Sequence, residues 1–78
     1  QMVTAIDIQE RLEQLHPQII TQLQEHTRLC QEAGGLDGDQ ESELLSLWIE
    51  EASERGMDEV KMERIAKLLM GMCRIVDE

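Results

Sequence analysis

Two histidines and two cysteines have the most specific chemistry in this 78-residue chain, because imidazole nitrogen and thiolate sulfur are zinc ligands. His26 and Cys30 are four positions apart, a spacing that places them on one face of a helix. Cys73, however, lies far along the chain, His16 directly precedes a proline, and the sequence has no closely spaced cysteine pair. The spacing argues against zinc, and we expect neither a metal nor another cofactor.

A second candidate, a calcium site, begins at Asp37 with the letters DGDQE. An EF-hand loop needs glycine at its sixth position and glutamate at its twelfth, and this chain has Ser42 and Trp48 there. We therefore interpret the acidic residues of this stretch as helix caps and not as calcium ligands. The sequence also lacks a nucleophile elbow, a glycine-rich phosphate loop and a Cys-His-carboxylate set, so we expect no enzyme and no catalytic residue.

The segment ASERGMDEVKMERI, residues 52–65, has a small residue, a turn glycine four positions later and an apolar residue directly after it. This pattern is roughly that of a DNA-binding helix-turn-helix. Such a motif surrounds its second helix with cations that neutralise phosphates. Here that helix would begin at Asp58 and Glu59, and the chain has 17 acidic against 7 basic residues, a net charge of −10. We expect no direct binding to nucleic acid, and a transcription regulator ranks last among the functions considered.

The composition predicts an all-α fold in a single domain, residues 1–78. Trp48 is the one aromatic residue, and mostly good helix formers dominate the rest of the chain. We interpret Gln1 as an expression remnant ahead of a natural start at Met2. No signal peptide or membrane-spanning run is visible, so we expect a cytoplasmic protein with Cys30 and Cys73 as reduced core thiols.

The first predicted helix begins after a Thr4 cap and ends at the glycines of residues 34–35. One face follows a heptad spacing, through Ala5, Ile8, Leu12, Leu15, Ile19, Gln22, His26, Leu29 and Ala33. Pro17 is expected either to kink this helix or to break it, which would give four helices instead of three. His26 is a polar residue in this face, which we interpret as setting register or making the packing sensitive to pH.

The C-terminal half is predicted to form an antiparallel helical hairpin that turns at Gly56. Asp37 or Asp39 caps its first helix, and Asp58 caps its second. The apolar arc of the first includes Leu44, Leu45, Leu47, Trp48, Ile49 and Ala52; that of the second includes Met62, Ile65, Leu68, Leu69, Met72, Cys73, Ile75 and Val76. Met70 falls outside this arc and is expected to be exposed.

These helices have more apolar surface than so short a chain is expected to bury alone. An unbroken first helix would be about 43 Å long and would extend past its neighbours. We therefore predict a small protein–protein interaction module: an adaptor, a chaperone-like protein or an assembly subunit that self-associates or covers an apolar helix of a partner. The predicted partner-binding residues are Leu44, Leu45, Trp48, Ile65, Leu69 and Met72.

The acidic residues suggest an alternative function, an inhibitor that imitates nucleic acid in the manner of phage-encoded anti-defence proteins. Its surface would consist of Glu43, Glu50, Glu51, Glu54, Asp58 and Glu59. Binding by such a mimic weakens steeply as the salt concentration rises, whereas an apolar helix contact hardly changes. Salt dependence therefore separates the two functions.

Overall fold

A computed structural model describes residues 4–74 as three α-helices. Helix α1 spans Ala5–Glu32, α2 spans Gly38–Glu54 and α3 spans Glu59–Met72. The predicted all-α fold and the predicted hairpin of α2 and α3 are both confirmed. The expectations for Gln1, Met2, Ile75 and Val76 concern residues outside the described range.

Helix α1 passes through Pro17 without a break, so the four-helix alternative is wrong for residues 4–74. The Thr4 hydroxyl accepts a hydrogen bond from the backbone N–H of Asp7, and the Asp7 carboxylate accepts one from the backbone N–H of Thr4. This capping box satisfies backbone donors at the start of the helix. The hydroxyl of Thr21 donates to the Pro17 carbonyl across 2.9 Å, so the turn after the proline keeps its helical spacing.

The hairpin is built from the predicted cap residues. Asp37 caps α2, its carboxylate accepting from the Gln40 N–H at 2.8 Å, which decides between the two predicted caps. Asp58 caps α3 by accepting from the Lys61 N–H at 3.0 Å. Between the helices, Gly56 adopts φ +67°, a left-handed conformation that costs glycine little.

Helix α3 is the central element, because it packs against α2 along the hairpin and against the C-terminal part of α1. In the described part of the chain, no Cα atom of α1 lies within 8 Å of a Cα atom of α2. The buried apolar residues are Cys30, Ala52, Ala66, Leu69, Met70 and Cys73. The core is therefore small and lies around α3.

The expectation that Met70 is exposed is wrong, because its side chain is only 4% exposed. The inward face of α3 follows Met62, Ala66, Leu69 and Cys73, and Met70 lies beside Leu69 on that face. This face packs against α2 and meets α1 at Cys73. The predicted arc is therefore split, and its other apolar residues within the described range, Ile65, Leu68 and Met72, are exposed.

The molecule is elongated, with principal extents of 51 × 28 × 17 Å. Its radius of gyration is 15.7 Å, whereas a compact domain of this length is expected to have about 11 Å. The N-terminal part of α1 accounts for the difference, since every residue from 4 to 22 is exposed. Over residues 4–74, no helix combines the length and the apolar character that crossing a bilayer requires.

Candidate functional site

The predicted partner-binding residues do not form one exposed surface. Leu69 is buried in the core, while Ile65 and Met72 are exposed on α3. Leu44, Leu45 and Trp48 are half-buried on α2. Trp48 lines a shallow depression together with Met57 and Met62. The role of these residues in binding a partner stays a prediction.

The predicted acidic surface separates into two groups. Glu43, Glu50 and Glu54 are exposed, and their spacing of seven and four places them on one face of α2. The other three lie at helix ends: Glu51 forms an ion pair with Arg55, Asp58 caps α3, and Glu59 is in its first turn. Because the second group has local structural roles, the face that stays available for nucleic-acid mimicry is narrower than the sequence indicates.

An uncovered apolar face lies along the N-terminal part of α1. We define the α1 seam as Ile8, Leu12, Leu15 and Ile19, whose exposed fractions are 49%, 42%, 47% and 46%. These four residues are consecutive members of the predicted heptad face. The sequence therefore identified the seam, and the structure shows that no described residue covers it.

The charged residues of this part of α1 point away from the seam. At 100° per residue, Asp7, Glu10 and Glu13 are turned about 110° or more from the centre of the seam. The residues that flank it are Gln9, Arg11, His16 and Gln18. The seam is thus bordered by neutral or basic side chains in a strongly acidic protein.

The second feature is a cluster of His26, Cys30 and Cys73, which we call the Cys–His cluster. Cys30 and Cys73 are joined as a disulfide, with Cα atoms 5.3 Å apart, a separation that suits such a bond. The Nδ1 atom of His26 is 3.7 Å from the Cys30 Sγ and 3.3 Å from the Cys73 Sγ. Both cysteines are buried, and His26 is half-buried.

The cluster corrects two expectations from the sequence. The cysteines are core residues as predicted, but they are paired and not separate reduced thiols. The cytoplasmic location from which reduced thiols were expected stays a prediction. Cys73 was judged too distant to share a site with His26 and Cys30, whereas the nitrogen and sulfur atoms of all three lie within 4.8 Å of one another.

The Cys–His cluster lies on the same face of α1 as the seam. His26 follows Ile19 by seven residues, and Cys30 follows His26 by four, so both continue its line along the helix. The end of α3 therefore packs against this face of α1 at His26 and Cys30. The α1 seam is the uncovered part of the face on the N-terminal side of that contact. The predicted heptad face includes Ile19 and His26, but it continues through Leu29, which is 53% exposed, and not through Cys30. The local spacing also gave no signal for the residue that meets this line from α3.

The chain matches no protein family model, and neither the curated proteins nor the solved structures contain a significant match to it.

Proposed function

We propose that this chain is a helical protein–protein interaction module that self-associates through the α1 seam. The observation that carries the proposal is an excess of exposed surface. A compact monomer of 9.0 kDa is expected to expose about 4,900 Å², whereas this chain exposes 6655 Å². The difference exceeds the roughly 800 Å² that a standard interface removes from each partner.

The spacing of the seam favours another helix as its cover. Residues at alternating steps of three and four pack as knobs into the holes of a helix with the same repeat. A second copy of α1 has that repeat by definition. We therefore take a second copy of this chain as the partner, with the two α1 helices packed along their seams.

The distribution of charge supports self-association at this position. Residues 4–24 include three acidic residues and one basic residue, and so account for only −2 of the total charge of −10. The acidic residues of the hairpin lie on other elements, so the two copies meet through a part of the chain that has few charged residues. Like charges facing each other across an interface would oppose association.

The test is the mass of the protein in solution, measured by light scattering and sedimentation over a concentration series. We expect a dimer, and we expect Leu12→Glu to shift it to a monomer without loss of helical content. Ile6→Glu is the matched control, because Ile6 is 71% exposed but lies on the opposite side of α1. That variant should remain a dimer.

Two outcomes would overturn this proposal. One is a monomer at every concentration, and the other is equal disruption by the seam and control variants. Association that disappears with rising salt would indicate charge pairing instead of an apolar contact.

A further inference from the structure

We propose that the Cys–His cluster binds a divalent transition metal of the zinc class when its disulfide is reduced. Each member has a ligand atom suited to such a metal: one imidazole nitrogen and two thiolate sulfurs. The three converge from two helices, His26 and Cys30 from α1 and Cys73 from the end of α3. This inference does not depend on self-association through the α1 seam.

The separation of the ligand atoms agrees with tetrahedral coordination. Zinc binds sulfur at about 2.3 Å and histidine nitrogen at about 2.05 Å, which gives a nitrogen–sulfur edge of about 3.6 Å. The two edges in this structure are 3.7 and 3.3 Å. The two nitrogen–sulfur separations are therefore close to those that a metal requires, whereas the two sulfur atoms must first move apart from bonding distance.

The positions of the residues along the chain favour a shared site as well. His26 and Cys30 are four residues apart on α1, a spacing by which one helix supplies two ligands to one metal. Cys73 is the C-cap of α3, so the third ligand comes from a helix end that is already held against α1. Their side chains meet without a long loop having to fold around the ion.

The environment suits a bound metal because both sulfur atoms are shielded from bulk solvent. Cys30 is 5% and Cys73 is 2% exposed. Within residues 4–74, no fourth histidine, cysteine or carboxylate belongs to the cluster. Three protein ligands leave the fourth position to a water molecule, on the half-buried His26 side.

The metal and the disulfide exclude each other, since thiolate is the ligand and disulfide sulfur is not. A dithiol reductant supplies two electrons and two protons, which break the sulfur–sulfur bond and leave two thiols, while the dithiol is oxidised to its own disulfide. Metal binding then releases one proton from each thiol. The two sulfurs would come to rest about 3.8 Å apart in tetrahedral geometry.

Either state of the cluster joins α1 to α3. Under oxidising conditions the joint is a covalent bond between Cys30 and Cys73, and under reducing conditions with metal it is the pair of metal–sulfur bonds. The same two residues would then hold the helices together under both conditions. Only the reduced protein without metal would lack a bond between Cys30 on α1 and Cys73 at the end of α3.

Cobalt(II) is the probe, because tetrahedral cobalt absorbs visible light and its thiolate bonds add a charge-transfer band. We expect both signals when cobalt is added to the full chain reduced with a phosphine, and neither with the oxidised chain. Zinc should then displace cobalt and abolish the colour. A gain of helical content or thermal stability on metal addition is also expected, because binding couples to folding.

His26→Ala is the informative variant because it keeps both cysteines and can be purified in the disulfide form. We expect its cobalt affinity to fall about 100-fold or more after reduction, since effects of 10- to 100-fold already follow the loss of outer partners of ligands. His16→Ala removes the other histidine of α1, which is exposed, and should bind like the parent chain.

Three results would overturn the proposal: absence of tetrahedral cobalt bands in the reduced parent chain, equal binding by His26→Ala, or equal loss in His16→Ala. Light scattering of the same samples keeps the two proposals separate. A chain that dimerises but binds no cobalt contradicts the metal site alone, and a monomer that binds cobalt contradicts only the self-association.

Discussion

Cys30 and Cys73 are separated by 43 positions in sequence, yet their Cα atoms are 5.3 Å apart, and they join the last turn of α1 to the C-cap of α3. Among the described helices α1 packs only against α3, so this bond lies at the one place, apart from the loop to α2, where α1 is held to the hairpin. The stability of the whole arrangement therefore depends strongly on it.

Reducing the disulfide is expected to destabilise the protein by about 4 kcal/mol, because closing a loop of this length restricts the unfolded chain. That is close to the entire stability of about 3 to 5 kcal/mol typical of so small a domain. Urea unfolding with and without reductant, in a chelator, measures the effect. Cys73→Ser should behave like the reduced chain and should not respond to reductant; an unchanged midpoint in both would contradict the prediction.

Leu68 and Leu69 are neighbours on α3 with opposite environments, 74% and 6% exposed. We expect Leu69→Ala to cost about 2 to 5 kcal/mol because it leaves a cavity in the core. Leu68→Ala should change the free energy of unfolding by less than about 0.5 kcal/mol. Chemical denaturation of both variants checks this, and similar losses would show that the inward face of α3 is assigned incorrectly.

Gly56 and Gly71 should respond in opposite directions to alanine. Gly56 has φ +67°, where a Cβ is strained, so Gly56→Ala should destabilise the hairpin by about 1 kcal/mol or more. Gly71 is inside α3, and a methyl group added there would meet no neighbouring side chain within 4 Å, so Gly71→Ala should stabilise the helix by about 0.5 to 1 kcal/mol. Thermal and urea midpoints of the pair, measured together, show whether the signs differ.

The capping box of α1 should depend on pH. Hydrogen bonds from the hydroxyl and the backbone N–H of Thr4 lower the pKa of Asp7 below its ordinary value of 3.8. Because the pKa of Asp7 is lowered in the folded state, the capping box stabilises the helix at pH values above the ordinary pKa of this carboxyl. This stabilisation is lost as the pH falls through the lowered pKa.

Titration of the Asp7 carboxyl by NMR tests this directly. Thr4→Ala should return the pKa of Asp7 toward its ordinary value, because both the hydroxyl donor and the geometry of the cap are lost. It should also accelerate hydrogen exchange in the first turn of α1. An unchanged Asp7 titration in that variant would mean that the capping contact does not form in solution.

The fold was predictable because its signals are local. Thr4, Asp37 and Asp58 are cap residues with a clear signature, and Gly56 marks the turn between α2 and α3. The heptad face of α1 also survives Pro17, since the apolar residues keep the same phase on both sides of it. The ends of a helix are set by residues that are close together in the chain, so they can be predicted from one sequence.

The pairing of helices was harder to predict, because it depends on residues far apart in the chain. Nothing near Cys73 indicates that it meets Cys30, and nothing near Met70 or Ile65 indicates that the first is buried and the second exposed. An apolar arc covering half of α3 is compatible with a rotation that buries Ile65 and with one that buries Met70. His26 and Cys30 were therefore recognised as neighbours on one helix face, whereas Cys73 was not recognised as their neighbour.

Helix α1 is attached to the hairpin only near its C-terminal end, so a small rotation there displaces its N-terminal end by a large distance. About 38 Å of helix separates Cys30 from Ala5, at 1.5 Å per residue. A rotation of 10° about the disulfide would move the free end by about 7 Å, while the hairpin stays in place. Any change of angle at the Cys30–Cys73 junction would thus be magnified at the opposite tip of the molecule.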